Sequence, residues 1–133
     1  LITAIDTSVI LTIFGKEPGF ENWELSLREA ATIGRLCVCP VVFAELAPGS
    51  ESADHLSQLL EMLAIDYEDF SPESAHLAGC IHREYRREGG PREHLVSDFL
   101  VAAHAQVQCD RLAAIDRGYL RRYFSALPLL SPL

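Results

Sequence analysis

Nine residues near the start, Ile2-Thr3-Ala4-Ile5-Asp6-Thr7-Ser8-Val9-Ile10, constrain the fold more than any other stretch. The first four are short, apolar and β-branched, the pattern of a buried strand. Thr7 and Ser8 then stand as helix-initiating residues ahead of Val9 and Ile10. A strand therefore runs into a helix with no linker, and an acid, Asp6, sits at the joint. That step is the repeating unit of a parallel α/β sheet. Ligand sites gather at the carboxyl ends of such strands, because the loops there carry chemistry on a rigid scaffold. Three more acids occupy comparable settings: Glu45 after Val41-Val42-Phe43-Ala44, Asp98 in Ser97-Asp98-Phe99-Leu100, and Asp116 after Leu112-Ala113-Ala114-Ile115.

The rest of the chain alternates in the same way. Thr7–Phe14 reads as a short helix stopped by Gly15, and a second helix carries Trp23, Leu27, Ala30 and Ala31 at helical spacing with Gly34 as its C-terminal cap. Residues 35–39 form a strand, and Pro40 opens a short helix through Leu46 that carries Glu45. Ser52 caps a helix with Leu56, Leu59, Leu60 and Leu63 on one face, a stripe that reads as core. Residues 64–68 are a further strand, and Ser71-Pro72 starts a helix running to about Glu88, with Arg83, Arg86 and Arg87 near its end. Ser97 is placed to cap a helix from Asp98 to about Val107. A strand over 111–115, a terminal helix over 117–124 and a last short strand over 127–130 complete the pattern. With no repeat, linker or low-complexity tract, the expectation is a single domain over residues 1–133. Its fold class is α/β, a three-layer α/β/α sandwich with a mainly parallel sheet of four or five short strands.

Composition narrows the function classes. A chain of 133 residues, 49% hydrophobic and 23% charged, buries a core without staples, and no apolar run reaches a membrane span. The first residues lack the basic, long apolar pattern of a secretory signal, so the expected location is the cytoplasm. The net charge of −8 argues against a protein that coats nucleic acid non-specifically. The charge is uneven, however: residues 1–82 hold three basic and thirteen acidic side chains, and residues 83–122 hold eight arginines against six acids. Cys37 and Cys39 alternate on one strand rather than forming a paired metal motif. With Cys80 and Cys109, they read as small buried thiols in a reducing compartment rather than zinc ligands.

Four carboxylates in one pocket repel one another unless a positive charge lies among them. Hard divalent cations answer this, since Mg²⁺ takes oxygen ligands, keeps several waters and is held by one or two carboxylates directly. Such ions activate water and stabilise the leaving oxygen in phosphodiester hydrolysis. Singly, each acid also reads as a cap, turn or surface charge. The constellation carries the inference.

The strand end Ile5-Asp6-Thr7-Ser8-Val9, the Ala44-Glu45-Leu46 helix, the helix Ser97-Asp98-Phe99-Leu100-Val101-Ala102-Ala103-His104-Ala105 and the turn Asp116-Arg117-Gly118-Tyr119 resemble, in order and spacing, PIN-domain ribonucleases. Among these they look most like VapC toxins of prokaryotic toxin-antitoxin pairs. The resemblance spans the whole chain. It implies endonucleolytic cleavage of RNA dependent on Mg²⁺ or Mn²⁺, a homodimer, and inhibition by a cognate antitoxin protein. Carried over by position, Asp6 and Asp98 are the principal metal ligands, and Glu45 and Asp116 complete the catalytic acidic pocket. The family often has Ser or Thr two residues before the last Asp and Ser opening the Glu-bearing helix; Ala114 and Cys39-Pro40 stand there instead. Those departures weaken a second metal position, because outer hydrogen bonds orient ligands.

Thr7 and Ser8 offer hydroxyls near the substrate, and Arg117 adjoins Asp116, so these three are the expected substrate-binding residues. Arg83, Arg86, Arg87, Arg92, Arg121 and Arg122 read equally as a solvated face or as a surface that lines a path for RNA phosphates or holds an acidic antitoxin tail. Neighbouring readings are a PIN-type nuclease in RNA processing or decay, and an inactive PIN-like module that binds a partner. A haloacid-dehalogenase-like phosphatase is disfavoured because Ser8 stands where its second Asp belongs. A receiver domain is disfavoured because Lys16, the single lysine, is not at a late strand.

Overall fold

The computed structural model describes residues 1–90, 96–115 and 117–132. Five parallel strands, β1 (Ile2–Ile5), β2 (Arg35–Val38), β3 (Ile65–Tyr67), β4 (Arg111–Ala113) and β5 (Leu129–Leu130), form one sheet in the order β3-β2-β1-β4-β5. Its helices are α1 (Thr7–Phe14), α2 (Phe20–Ile33), α3 (Pro40–Leu46), α4 (Ala53–Met62), α5 (Pro72–Arg87), α6 (Val96–Gln108) and α7 (Gly118–Tyr123), with a 3-10 turn over Ala47–Gly49. The expected three-layer sandwich with a parallel sheet is the fold observed.

β1 is the hub. It pairs with β2 through Ala4 opposite Cys37 and with β4 through Ile5 opposite Ala113. It is covered on both faces, and Thr3, Ala4 and Ile5 are buried. The strand order reverses direction at β1. Right-handed crossovers therefore place α1, α2 and α4 on one face and α5, α6 and α7 on the other. Ala102, Ala103 and Ala105 are fully buried on α6, and their small size lets that helix approach the sheet closely. Phe99 is buried one turn earlier, within ring-contact distance of Tyr85, Tyr119, Tyr123 and Phe124. Gly34 joins α2 to β2 beside the chain's first residue. A Cβ there would stand 1.6 Å from the Leu1 carbonyl oxygen, so only glycine permits this approach.

Local details depart from the sequence reading at element ends. Asp6 itself is the N-cap of α1, its side chain accepting from the Ser8 N–H, where Thr7 and Ser8 had the initiating role. Helix α6 is already formed at Val96, so Ser97 lies inside it rather than capping it. Cys39 falls outside β2 and precedes Pro40 as the N-cap of α3. The strands over 64–68, 111–115 and 127–130 contract to Ile65–Tyr67, Arg111–Ala113 and Leu129–Leu130. The caps Ser52 and Ser71 behave as expected, each accepting from a backbone N–H three residues on. Leu56 and Leu60 of the leucine stripe are core.

A polar brace crosses the α5/α6 face of the sheet. Arg35 Nη2 donates to Glu68 Oε2 at 2.6 Å, and His104 Nε2 lies 2.8 Å from Glu68 Oε1. Burial raises the Glu68 carboxyl, but its bonds to Arg35 and His104 outweigh this and hold it below the ordinary glutamate value. Burial pushes the His104 imidazole down more than Glu68 raises it, so the ring is neutral at pH 7 and donates its Nε2–H. No described helix is long and apolar enough to cross a membrane.

Candidate active site

The candidate site lies at the carboxyl edge of the sheet, where β1 and β4 end side by side. The Asp6 N–H donates to the Ala113 carbonyl at 2.9 Å, which carries the β1/β4 ladder one residue past β1 and fixes the Asp6 backbone. Asp6 is half-buried, with an extended backbone (φ −76°, ψ 153°), and its carboxylate turns over the start of α1. Oδ2 accepts from the Ser8 N–H at 3.3 Å and from Ser8 Oγ. Ser8 Oγ in turn accepts from the Ile115 N–H at 3.3 Å. One hydroxyl thus ties the Asp6 carboxylate to the loop that leaves β4. Asp6 Oδ1 makes no hydrogen bond to a described residue.

Glu45 comes from the next strand over. Helix α3 follows β2 directly, and Pro40 in its first turn is suited to helix entry because it has no N–H to satisfy. Val42 and Leu46 are buried while Glu45 is exposed, so the apolar side of the helix is anchored and its acid faces out. Thr7 Oγ1 donates to Glu45 Oε1 at 2.7 Å. Thr7 is buried and adjacent to Asp6, so this bond draws the carboxylate of α3 onto the end of β1.

Asp98 is half-buried in the first turn of α6. Because α6 leads into a parallel strand, it runs against the strands and begins at their carboxyl edge. Phe99 holds that turn in the core, and Tyr119 of α7 donates through its hydroxyl to the Asp98 carbonyl at 3.5 Å. Asp116 lies outside the described residues, as does Arg92.

The fold therefore brings Asp6, Glu45 and Asp98 to one edge. Their oxygens do not, as a set, close to within 4.8 Å of one another. The donor set is oxygen only, and Asp6 Oδ1 and Glu45 Oε2 make no hydrogen bond to a described residue. These residues fit a hard divalent cation that retains waters.

The three expected substrate-binding residues take different places. Thr7 and Ser8 direct their hydroxyls at Glu45 and Asp6, and so act on the carboxylates. Arg117 turns toward β5: Nε donates to the Ala114 carbonyl at 3.2 Å, Nη2 to the Leu130 carbonyl at 2.7 Å and Nη1 to Ser131 Oγ at 3.4 Å. It ties the ends of β4 and β5 together. Arg83, Arg86 and Arg87 are exposed and line a shallow depression with Gly79 and His82. Two contributions escaped the sequence reading, Ser8 as a link from Asp6 to Ile115 and Tyr119 as a support for Asp98. No local spacing signals either, since each joins residues far apart in the chain.

A family model described as PIN domain matches residues 3–124. No curated protein matches the sequence significantly. Among solved structures, the chain is similar to one in the crystal structure of VapBC2 from Rickettsia felis bound to a DNA fragment from their promoter. That match has 21% identity and a TM-score of 0.76, with 97% of each chain covered. A chain of VapBC-1 from nontypeable Haemophilus influenzae is 19% identical, with a TM-score of 0.71 and coverage of 97% of this chain and 96% of that one. DNA-bound VapBC from Salmonella typhimurium gives 22% identity and a TM-score of 0.62, with coverage of 97% and 96%. The family match takes in β1 with Asp6, α3 with Glu45 and α6 with Asp98, and the chain belongs to the PIN-domain family.

Proposed function

We propose that this chain is a metal-dependent endoribonuclease, the toxic component of a type II toxin-antitoxin pair. The observation that carries the reading is the 2.7 Å bond from Thr7 to Glu45. It holds an acid from α3 against the strand end that bears Asp6, and so assembles an acidic edge from separate elements. Asp6 and Asp98 would hold Mg²⁺ or Mn²⁺, with Glu45 and Asp116 completing the pocket. When bound, the ion supplies Lewis-acid stabilisation of the phosphate and activation of water.

The chain's own residues do the positioning. Ser8 fixes the rotation of the Asp6 carboxylate, Thr7 fixes that of Glu45, and Phe99 and Tyr119 hold the turn that presents Asp98. The similarity to chains from three VapBC structures supports an antitoxin protein as partner. A homodimer in the cytoplasm belongs to the same proposal; exposed Leu11, Phe14 and Met62 offer apolar surface for assembly.

The test is incubation of purified protein, free of partners, with a mixed RNA pool in Mg²⁺ or Mn²⁺, beside EDTA and the Asp6→Asn and Asp98→Asn variants. Cleavage by the wild type alone, and only with metal, is expected. RNA left intact under every metal condition overturns the nuclease and favours a partner-binding module. A neighbouring antitoxin reading frame whose product abolishes cleavage distinguishes a toxin from a nuclease of RNA processing or decay.

A further inference from the structure

Away from the acidic edge, four metal-ligating side chains converge beneath α6. Cys37 comes from β2, Glu68 follows β3, His104 lies on α6, and Cys109 stands one residue past that helix. One ligand atom from each lies within 4.8 Å of the other three. Cys37 Sγ and Cys109 Sγ are 3.5 Å apart, His104 Nε2 and Glu68 Oε1 2.8 Å, and Cys109 Sγ and Glu68 Oε1 3.9 Å. Cys37 and His104 are buried, and Cys109 and Glu68 are partly so. We propose that these four side chains form a tetrahedral site for a thiophilic divalent cation, zinc above all.

The distances fit the geometry of that ion. With Zn–S near 2.3 Å and Zn–N or Zn–O near 2.0–2.1 Å, a tetrahedron has an S–S edge of about 3.8 Å and an N–O edge of about 3.3 Å. To admit the ion, the Cys37–Cys109 and His104–Glu68 pairs need to open by no more than about half an ångström, and the Cys109–Glu68 pair at 3.9 Å needs to close slightly. The donor mixture also selects the metal: two sulfurs, an imidazole and one carboxylate suit zinc, whereas magnesium and manganese prefer oxygen.

The surroundings suit it too. Arg35 holds the far oxygen of Glu68 at 2.6 Å, an outer contact of the kind that orients a metal-bound carboxylate. Two thiolates and one carboxylate are offset by a dication together with the Arg35 guanidinium, which also lies 3.8 Å from the exposed Asp66 carboxylate. Binding releases the two thiol protons to solvent, and the neutral His104 ring changes tautomer, its proton passing from Nε2 to Nδ1 so that Nε2 is free to bind. The ion would join β2, the end of β3 and α6, bracing the helix that presents Asp98 from a point nearly two turns further along. The proposal is independent of the nuclease reading.

Cobalt(II) titrated into the reduced, metal-stripped full chain tests it. The expected result is one equivalent bound with intense tetrahedral ligand-field bands and a thiolate-to-cobalt charge-transfer band, both bleached by zinc. Cobalt at a carboxylate edge gives neither, so the acidic site does not mimic the signal. Cys37→Ser and Cys109→Ser should each weaken the charge-transfer band, and His104→Gln should shift the ligand-field bands. If those variants fold poorly, zinc raising the melting temperature of wild type but not of Glu68→Gln supports the same site. Absence of any charge-transfer band in reduced wild type overturns the proposal. So does an unchanged spectrum in folded Cys37→Ser/Cys109→Ser protein. Recovery of the native chain with a Cys37–Cys109 disulfide that takes no cobalt even after reduction overturns it likewise.

Discussion

Thr7 and Ser8 have hydroxyls that the sequence places beside the acids, and the structure turns both onto carboxylates. Replacing Thr7 by Val keeps the shape and removes the 2.7 Å bond to Glu45. The net loss in unfolding free energy should be about 1 kcal/mol. The effect on RNA cleavage should be larger, roughly 10- to 100-fold, the range seen when a contact that orients a metal ligand is removed. Thr7→Ser retains the donor and should restore most of the rate. Denaturant titration and single-turnover cleavage read the two effects separately; a rate that falls no more than stability predicts would make Thr7 a packing residue only. A second prediction concerns Glu88 at the end of α5, which accepts from the Tyr123 hydroxyl at 2.7 Å and from Arg122 at 2.8 Å. The Tyr123 bond, with Arg122, lowers its carboxyl from the ordinary 4.5. A lowered folded value means that this contribution to stability is present above pH 4.5 and is lost as pH falls through the folded value. Carboxyl-detected NMR titration should place Glu88 below 4.5 in wild type and return it toward 4.5 in Tyr123→Phe.

Among the elements, α6 does most to join fold and site. Phe99 anchors its first turn among five rings, the His82 imidazole included, while the alanines beyond let it lie close to the sheet. Phe99→Ala should cost about 3–5 kcal/mol by equilibrium unfolding, the range for deleting a buried aromatic. Phe99→Leu should cost distinctly less, with Asp98 presented more nearly as in wild type. Elements with strong punctuation were legible in the sequence: Pro40 before α3, Ser52 before α4 and Ser71-Pro72 before α5 each use chemistry that belongs to helix starts. Ser97 misled because a serine ahead of an acid reads the same inside a first turn as at a cap. Cys39 misled because alternation with Cys37 continues by one residue past the point where β2 ends. The acids Asp6, Glu45 and Asp98 were legible because each follows a local strand or helix signal. The Cys37, Glu68, His104 and Cys109 cluster was not. Its contacts join residues 72, 41 and 36 positions apart, and no local spacing encodes them.

In the molecule as a whole, the parallel sheet sends Asp6, Glu45 and Asp98 to one edge, where like charges repel unless a cation lies among them. Without a cation, neutralising one of them relieves that repulsion. Asn retains the side-chain oxygen that caps α1, so Asp6→Asn should not lose the helix start. In EDTA its melting temperature should therefore equal or exceed that of wild type. Added Mn²⁺ should reverse the order, because an ion that binds only the folded state adds about 2.7 kcal/mol at a hundredfold excess over its Kd. That gain should appear in wild type as a rise of several degrees and be largely absent from Asp6→Asn. The decisive comparison is four scans by calorimetry, each protein with EDTA and with Mn²⁺. Crossing of the two proteins' order between conditions means that stability was given up at this edge to hold a cation. Parallel shifts in both would mean that Mn²⁺ acts elsewhere, and Asp6 would then be a helix cap alone.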